Sequence, residues 1–521
     1  MKIINIGILA HVDAGKTTIT KNFRKTEVFS MVKSIQYFNE KSVPVFERLE
    51  DEFLREPSDI ASYVMKLTEE LHKTGIRMIE ETLGYLDQML NESEVRKMSW
   101  VVDRHETKQL ITSLGSVNYS KTMFKEKAEG ERSYILDLIM GMDPHERMTE
   151  DAEARLLEET VQTSYRRGGE ETSILDKVSK QTVMKKIHAL QFPPEDEALE
   201  EKKVVENLFI DADEAHISLQ YRDKKGDLVR NERGRKNNNV IEKLVYCYEG
   251  IEEEAPGSKR HKLINPHYFC SDSASEDNKD FWDRVYAYID SHYDVGQIKR
   301  IYVNGDGGTW MEEGKNGVAG VVVTMDEFHL QKYLIKITSH LMDSRFDAIS
   351  DLRKIIMHKN KKDFNEYVDN VKTYLKEDDV KSAESIEKGR EYILNNWMAC
   401  KVRLSNRKKL PGCSAEGHVS HVLASRMTSR PMGWSKRGAG QMGRLRAYYY
   451  NGGDMLELVR FQRQELKKAA GYEMTYCSVP EILRSEKNRH YELGKYMASM
   501  QGSLSEDIKK KLRIEHHIRG L

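Results

Sequence analysis

Leu208-Phe-Ile-Asp-Ala-Asp213-Glu-Ala-His-Ile-Ser-Leu219 is the stretch on which the fold turns. Apolar residues fill its first half, and Asp211 and Asp213 stand two apart. The period of a strand therefore puts both carboxylates on one face. A second apolar strand follows at Lys243-Leu-Val-Tyr-Cys-Tyr248. A helical pattern covers 279–293, with Phe281, Val285, Tyr288 and Ile289 on one side. Next come the strand Arg300-Ile-Tyr-Val-Asn-Gly-Asp306-Gly-Gly308 and the buried strand Ala319-Gly-Val-Val-Val-Thr324, which leads into Asp326-Glu-Phe-His329. Residues 340–397 read as wholly helical. Hairpin strands, a helix, a strand and then helices predict a mixed α/β core with a helical insertion.

Upstream of this core, residues 25–100 are rich in Glu, Lys, Leu and Met and predict long amphipathic helices, used for packing or self-association. Residues 107–128 turn β-like around Gly115 and predict a short hairpin. From Ser133 to Leu190 the pattern is helical again. Ser179 caps a short helix there, with Val183, Ile187 and Leu190 inward. Lys180, Gln181, Lys185 and Lys186 face out, the shape of a helix-turn-helix recognition helix. The Pro-acidic run at 191–203 marks a domain boundary.

The chain has 521 residues, 32% of them charged, and a net charge of -1. That length predicts several domains. Mean hydropathy is -0.67, and no apolar run approaches the roughly 18 residues of a membrane helix. No secretory signal is read, and the five cysteines show no CxxC spacing. They predict reduced thiols in a cytoplasmic protein, not a zinc site. Nucleic-acid binding would have to come from segregated charge, and charge is segregated. Between Tyr392 and Gly453 there are eleven Lys and Arg and one acidic residue, Glu416.

A lone carboxylate in a basic strip can hold a cation against a polyanion drawn by its neighbours. Glu416 falls near the start of a helix whose Val419, Val422 and Leu423 face inward. Asp306 ends a strand, and Gly305, Gly307 and Gly308 around it allow close approach of a ligand. With Asp213, these make three carboxylates, enough for two magnesium ions in phosphoryl transfer. Taken alone, an Asp at a strand end is more often a turn or cap residue. In the basic strip, Arg426, Arg430, Lys436, Arg437, Arg444 and Arg446 are candidates for DNA phosphates. Trp434 and Tyr448 to Tyr450 either stack on bases or pack. His418 and His421 read as phosphate contacts or polar packing more readily than as a metal pair.

Gly412-Cys-Ser-Ala-Glu-Gly-His-Val-Ser-His-Val-Leu-Ala-Ser-Arg-Met-Thr-Ser-Arg-Pro-Met-Gly-Trp-Ser435 closely resembles the ISLre-type insertion-sequence transposases, a Mutator-like group. So do Ala212-Asp-Glu-Ala-His216, Val303-Asn-Gly-Asp-Gly-Gly-Thr-Trp310, Asp326-Glu-Phe-His-Leu330 and Ala447-Tyr-Tyr-Tyr-Asn-Gly-Gly-Asp-Met455. The resemblance implies an α/β RNase H-like catalytic core with an all-helical insertion, preceded by a mainly helical N-terminal region. It implies an Asp-Asp-Glu triad at Asp213, Asp306 and Glu416, all three as metal ligands, with Mg2+ or Mn2+ as cofactor. Asp326 and His329 match an Asp-x-x-His element, read as structural or DNA-positioning. Asp211 could substitute for Asp213 as a ligand. The implied partners are element ends, target DNA and further copies of the chain, without a membrane, in a bacterial nucleoid-associated setting.

The expected domains are a leader (1–20), a helical region (21–106), a DNA-binding region (107–190), the core in two parts (204–339 and 401–470), the insertion (340–400) and a basic tail (471–521). The leader, Ile3-Ile-Asn-Ile-Gly-Ile-Leu-Ala-His-Val-Asp-Ala-Gly-Lys-Thr-Thr18, resembles the start of tetracycline-resistance ribosomal-protection GTPases. In that reading the loop through Gly15 cradles phosphates, Lys16 reaches the β/γ oxygens and Thr17 binds magnesium. The rest of the GTPase pattern is absent, since Asn278-Lys279-Asp280 runs into Phe281. The leader is therefore expected to be a fused fragment, and GTP is not expected as a cofactor. Three alternatives stand beside the transposase: a GTP-binding ribosomal-protection protein, a nuclease that only hydrolyses DNA, and an inactive DNA-binding relic.

Overall fold

A computed structural model describes residues 37–143, 145–220, 238–314, 320–375, 379–407, 410–430 and 432–469. The leader with Gly15, Lys16 and Thr17, the tail 471–521 and Cys477 lie outside the described residues. The described chain divides into two compact units. One is built from 37–155, 170–177 and 467–469. The other is built from 156–169 and 178–466.

The first unit begins with α1 (Val43–Arg55) and α2 (Ile60–Glu92), as the amphipathic pattern predicts. Asp59 caps α2 by accepting from the Ser62 amide. A short α3 (Glu94–Ser99) leads into β1 (Trp100–Ile111), which pairs antiparallel with β2 (Ser116–Glu126). The hairpin is longer than expected and starts inside the region read as helical. Trp100, Leu110, Val117, Tyr119 and Phe124 bury one face of it against α2 and a short α4 (Ile135–Ile139). Asp87 of α2 is buried and accepts from the Thr122 amide and hydroxyl of β2, at 2.8 and 2.7 Å. The short strand β3 (Arg132–Ser133) pairs antiparallel with β2 and closes the sheet.

Helices α5 (Glu150–Gln162), α6 (Tyr165–Glu171) and α7 (Lys180–Ala189) follow. Ser179 caps α7, and Val183, Ile187 and Leu190 are buried. Residues 172–179 separate α6 from α7, a longer link than the three- or four-residue turn of a DNA-binding helix-turn-helix.

The second unit is organised by a five-stranded sheet. Its strands are β4 (Asn207–Ser218), β5 (Asn239–Tyr248), β8 (His267–Cys270), β9 (Arg300–Gly305) and β10 (Val321–Met325). The order is β10-β9-β4-β5-β8. β4, β9 and β10 run parallel, while β5 and β8 are antiparallel additions. A small hairpin, β6 (Gly250–Glu253) with β7 (His261–Ile264), stands outside it. Alternation decides the faces. Leu208, Ile210 and Ala212 pack with Val245, Cys247 and Val303 against α8 (Asn278–His292), where Phe281, Trp282, Val285 and Ile289 are buried. Val321, Val322 and Val323, expected to be buried, are only half-buried because β10 is the edge strand.

After the short α9 (Thr309–Glu313) and β10, the helical block starts at once with α10 (Glu327–Thr338). It continues through α11 (Arg345–His358), α12 (Lys361–Lys372), α13 (Val380–Asn395) and α14 (Trp397–Ser405). These helices share their own core, including Leu330, Leu334, Leu352, Phe364, Ile386 and Trp397. The chain then returns to the sheet as α15 (Ala415–Val419), continued by a π-turn over Ser420–Ala424 and α16 (Ser425–Met427). Helices α17 (Lys436–Tyr450) and α18 (Met455–Ala469) follow. Gly443 lets α17 approach β8, since a Cβ there would meet the Cys270 sulfur at 2.4 Å. Cys247, Cys270, Cys400 and Cys413 are free. Among the described residues no helix is long and apolar enough to cross a membrane.

Ile210 is fully buried in the central strand, whereas Ile241 on β5 is 40% exposed. Ile210→Ala should lower unfolding free energy by about 2–5 kcal/mol. Ile241→Ala should stay within about 0.5 kcal/mol. Paired urea melts measure both, and equal losses would mean that the face assignment is wrong.

Candidate active site

The two parallel strands at the centre bring the first two carboxylates together. Asp211 of β4 is in register with Asn304 of β9. Two residues further along each strand direction lie Asp213 and Asp306, both half-buried. Burial first, and then the Asp306 charge, push the Asp213 carboxyl up to about 6. The Glu214 amide, donating to Asp213 at 2.8 Å, pulls the other way. Asp306 accepts from the Gly308 amide at 3.0 Å, and its carbonyl accepts from the Tyr392 hydroxyl.

The glycines around Asp306 do not open the site to a ligand backbone. A Cβ on Gly305 would meet the Met311 sulfur and the Ala212 carbonyl. Gly307 has φ +84°, and Asn396 occupies the space beside it, while Trp310 fills the space at Gly308. Their smallness serves packing of this chain on itself.

Asp326 and His329 form a pair beside these carboxylates. Asp326 caps α10 by accepting from the Phe328 amide at 3.2 Å and contacts His329 Nδ1 at 3.0 Å. The Asp326 amide donates to the Gly305 carbonyl, which ties the pair to the end of β9. The Asp326 hydrogen bond raises the His329 imidazole, and the Asp306 charge adds to it. Burial would raise the Asp326 carboxyl, but hydrogen bonds from His329 and the Phe328 amide outweigh it and lower it.

Asp211 is not available to a metal. It is fully buried and accepts from Tyr246 Oη at 2.8 Å, Tyr248 Oη at 3.2 Å, Asn304 Nδ2 at 2.7 Å and the Ser414 amide at 3.2 Å. Burial raises its carboxyl, and those donors oppose the shift. The Ser414 hydroxyl also bonds Tyr246 Oη at 2.9 Å. Asp211 thereby fixes where α15 begins, two residues before Glu416. Ala415 and Val419 are buried, with Val422 and Leu423 behind them, and Glu416 itself is exposed. The anchoring role of Asp211 was missed in the sequence. The available signal was Tyr246 and Tyr248 at strand period on the neighbouring strand.

Asp213 and Asp306 make a half-buried pair of like charges, and a divalent cation fits that pair because it would relieve the repulsion. Among the described residues no three His, Cys, Asp or Glu side chains are gathered closely enough to hold a metal ion. The geometry joins two of the three expected carboxylates and leaves Glu416 on the helix above.

The basic residues divide sharply. Lys180, Gln181 and Lys185 are exposed on α7, and Lys186 is half-buried; Arg430, Lys436 and Arg437 are exposed. Arg426 and Arg446 are not phosphate contacts. Arg426 is 6% exposed, donates to the Thr160 carbonyl and lies over Trp434. Arg446 is 1% exposed and donates to the carbonyls of Val161, His421 and Val422. Arg444 is largely covered and lies over Phe192. Trp434 packs edge-on to Tyr165 and donates to the Met427 carbonyl, so it is a core residue. His418 bonds Tyr268 Oη at 2.9 Å and packs on Tyr246, which makes it polar packing.

Asp213 within the central strand and Asp306 just past the end of its parallel neighbour, with exposed Lys and Arg on helices of the same unit, define an α/β protein with a candidate acidic site. The family is specific: residues 54–465 match the uncharacterised protein family UPF0236, and the chain belongs to it. UPF0236 protein TTE0402 of Caldanaerobacter subterraneus subsp. tengcongensis is 32% identical over 483 residues, covering 91% of each chain. A second protein of that organism, whose name joins eleven gene labels beginning with TTE0033, is 32% identical over 453 residues, or 86% of this chain and 89% of the relative. The Drosophila P element transposase strand transfer complex matches 74% of this chain and 95% of its own at 8% identity, with a TM-score of 0.20. A score that low carries no argument about this chain.

Asp213 binds its proton more tightly folded than unfolded, so its stabilising contribution is full at about pH 4 and is lost as pH rises through about 6. Asp213→Asn should therefore raise stability at pH 8 by about 1–2 kcal/mol and change little at pH 4.5. Melting curves at the two pH values decide; a lower melting temperature for the variant at pH 8 would contradict the assignment. Arg446→Met should cost about 2–4 kcal/mol, because it leaves buried carbonyls without donors. The same melts would detect it, and a loss below about 0.5 kcal/mol would return Arg446 to the surface.

Proposed function

We propose that the chain is a DNA transposase of an insertion sequence. It binds the terminal inverted repeats of its element, cleaves there to expose a 3′-hydroxyl, and joins that hydroxyl to target DNA. The observation that carries the reading is that Asp213 and Asp306 each stand two residues past the Asp211–Asn304 pair of adjacent parallel strands, with the helix that bears Glu416 anchored on Asp211 through Ser414.

The sheet supports the finer reading of the fold. Three antiparallel strands followed by two parallel ones, with the first strand central, is the arrangement expected of an RNase H-like core. The helical block between β10 and α15 falls where the resemblance puts the insertion. The relatives add an independent hint. A name that joins eleven gene labels is read here as one product encoded at many loci, which is what an element that copies or moves itself leaves in a genome.

In this reading Asp213, Asp306 and Glu416 hold Mg2+ or Mn2+. When bound, the cations activate the attacking oxygen and stabilise the leaving one. The Glu416 side chain must reach the Asp213–Asp306 pair once DNA is seated. Asp326 and His329 position the end of β9 under Asp306. Lys180, Gln181, Lys185 and Lys186 on α7, with Arg430, Lys436 and Arg437, contact DNA phosphates. Two ends must be joined, so the working form is an assembly of two or more copies.

Glu416→Ala and Asp306→Ala should each lower magnesium-dependent cleavage and strand transfer on element-end DNA by about 100-fold or more. Both should bind that DNA within about twofold of the unaltered chain. Activity retained in either variant would remove the metal assignment. Cleavage without joined products would identify a nuclease instead.

A further inference from the structure

A cavity of about 270 Å3 lies in the second unit, and the proposed catalysis does not use it. Tyr165, Met184, His188, Arg426, Met432 and Trp434 form most of its wall. Met184 and His188 stand four and eight residues after Lys180 on α7. The face of that helix which carries an exposed lysine therefore runs into the cavity.

Two polar groups on the wall are donors without acceptors. Arg426 is 6% exposed. Its Nε donates to the Thr160 carbonyl at 3.1 Å, and Nη1 meets the Met432 sulfur at 4.0 Å. Among the described residues Nη2 makes no hydrogen bond, and no carboxylate pairs with the guanidinium. Burial pulls the guanidinium down to about 10; Tyr165 opposes the fall and Arg446 adds to it. The group lies over the Trp434 ring at 5.0 Å and the Tyr165 ring at 5.9 Å, which orients its fork. The Tyr165 hydroxyl is buried and has no partner among the described residues. Burial pushes it up to about 12, so it keeps its proton. Buried donors left unmade are costly, and both are in that state here. His188 is held down by burial and by Arg437, and it adds no charge to the wall at neutral pH.

We infer that this cavity seats a single purine base, guanine by preference, with its acceptor edge on Arg426 and Tyr165. Guanine offers two neighbouring acceptors, O6 and N7, which a guanidinium fork meets as a pair. A phosphate would set charge against the sulfurs of Met184 and Met432, whereas a base turns an apolar face to them. The volume is below the roughly 300–1,000 Å3 of drug-sized sites, which suits one ring system. Lys436 and Arg437 are exposed at the start of α17, directly after the wall residue Ser435, and would take the phosphates that flank the base. The base is displaced from DNA or belongs to a free nucleoside. The pocket stands on its wall residues; only the DNA source rests on the transposase reading.

Arg426→Lys keeps the charge and removes the fork. Tyr165→Phe removes only the unpartnered hydroxyl, so it should melt as the unaltered chain does, and it decides alone if Arg426→Lys does not fold. 2′-Deoxyguanosine, 2′-deoxycytidine and inorganic phosphate are titrated calorimetrically into the full-length chain. Fluorescence anisotropy compares a duplex carrying one unpaired guanine with the fully paired duplex, since an unpaired base spares the cost of unstacking. Deoxyguanosine should bind about tenfold more tightly than deoxycytidine. Its affinity should fall about tenfold in Arg426→Lys and about fivefold in Tyr165→Phe. If DNA is the source, the unpaired guanine tightens duplex binding and both variants lose that gain, whether or not the free nucleoside is held. If a free nucleoside is the source, deoxyguanosine binds in the same pattern and the unpaired guanine brings no gain. Duplex DNA left unbound beside that pattern would count against the transposase and leave the pocket standing. Deoxyguanosine unbound, with no gain from the unpaired guanine, would overturn the pocket. So would phosphate bound in place of deoxyguanosine, or binding that neither variant changes.

Discussion

One fully buried carboxylate organises the second unit. Asp211 accepts hydrogen bonds from β5, through Tyr246 and Tyr248, from β9, through Asn304, and from the amide of Ser414 at the entry to α15. Taking a carboxylate out of water costs several kcal/mol, so the arrangement persists only if every lone pair is used. Hydrogen bonds to a charged group contribute about 1.5–3 kcal/mol each, and the four here oppose a burial cost that still raises the carboxyl. They also impose geometry. Tyr246 and Tyr248 fix β5 against β4, Asn304 fixes β9, and Ser414 fixes the helix that carries Glu416. Segments more than two hundred residues apart in sequence thus meet at a single side chain.

Asp213 shows what the same residue type does two positions along the strand. Its carboxyl has one amide donor at 2.8 Å and a like charge nearby. Burial and Asp306 raise it, and among the described residues no set of neutral donors closes around it. Asp211 is satisfied by the fold, whereas Asp213 and Asp306 retain acceptor capacity and repulsion that an external cation would meet. Strand period puts the anchor and the open carboxylate on one face, so the helix held by the first overlies the second. The stability that the open pair gives up is the usual signature of a site kept for a ligand.

Much of this fold was legible from period alone. Leu208 to Leu219, Lys243 to Tyr248 and Arg300 to Gly305 read as strands because they alternate or run apolar between turn signals. Helix 279–293 and the inward row Val419, Val422 and Leu423 read equally well. What stayed hidden depends on distant residues. Arg426 and Arg446 look like surface cations in a basic strip, but the carbonyls of Thr160 and Val161, over 250 positions earlier, take their protons. Gly305 and Gly307 look like room for a ligand, but Met311 and Asn396 fill it. Asp211 looked like a spare metal ligand for the same reason, since none of its four donors is adjacent in sequence.

The basic strip therefore has two populations with different physics, and the distinction bears on how the protein would hold DNA. A guanidinium among main-chain carbonyls, as at Arg446, rigidifies the helical segment that follows Glu416. It ties that segment to α17 and α5 without presenting charge to solvent. In the proposed reading, exposed Arg430, Lys436 and Arg437 would carry the long-range attraction to DNA, which salt screens. Glu416 lies between the two sets, on a helix fixed at its start by Asp211 and at its end by Arg446. Its backbone is thus held firmly at both sides, and the remaining freedom is in its own rotatable bonds. Those bonds are what must bring the third carboxylate to the pair on the sheet.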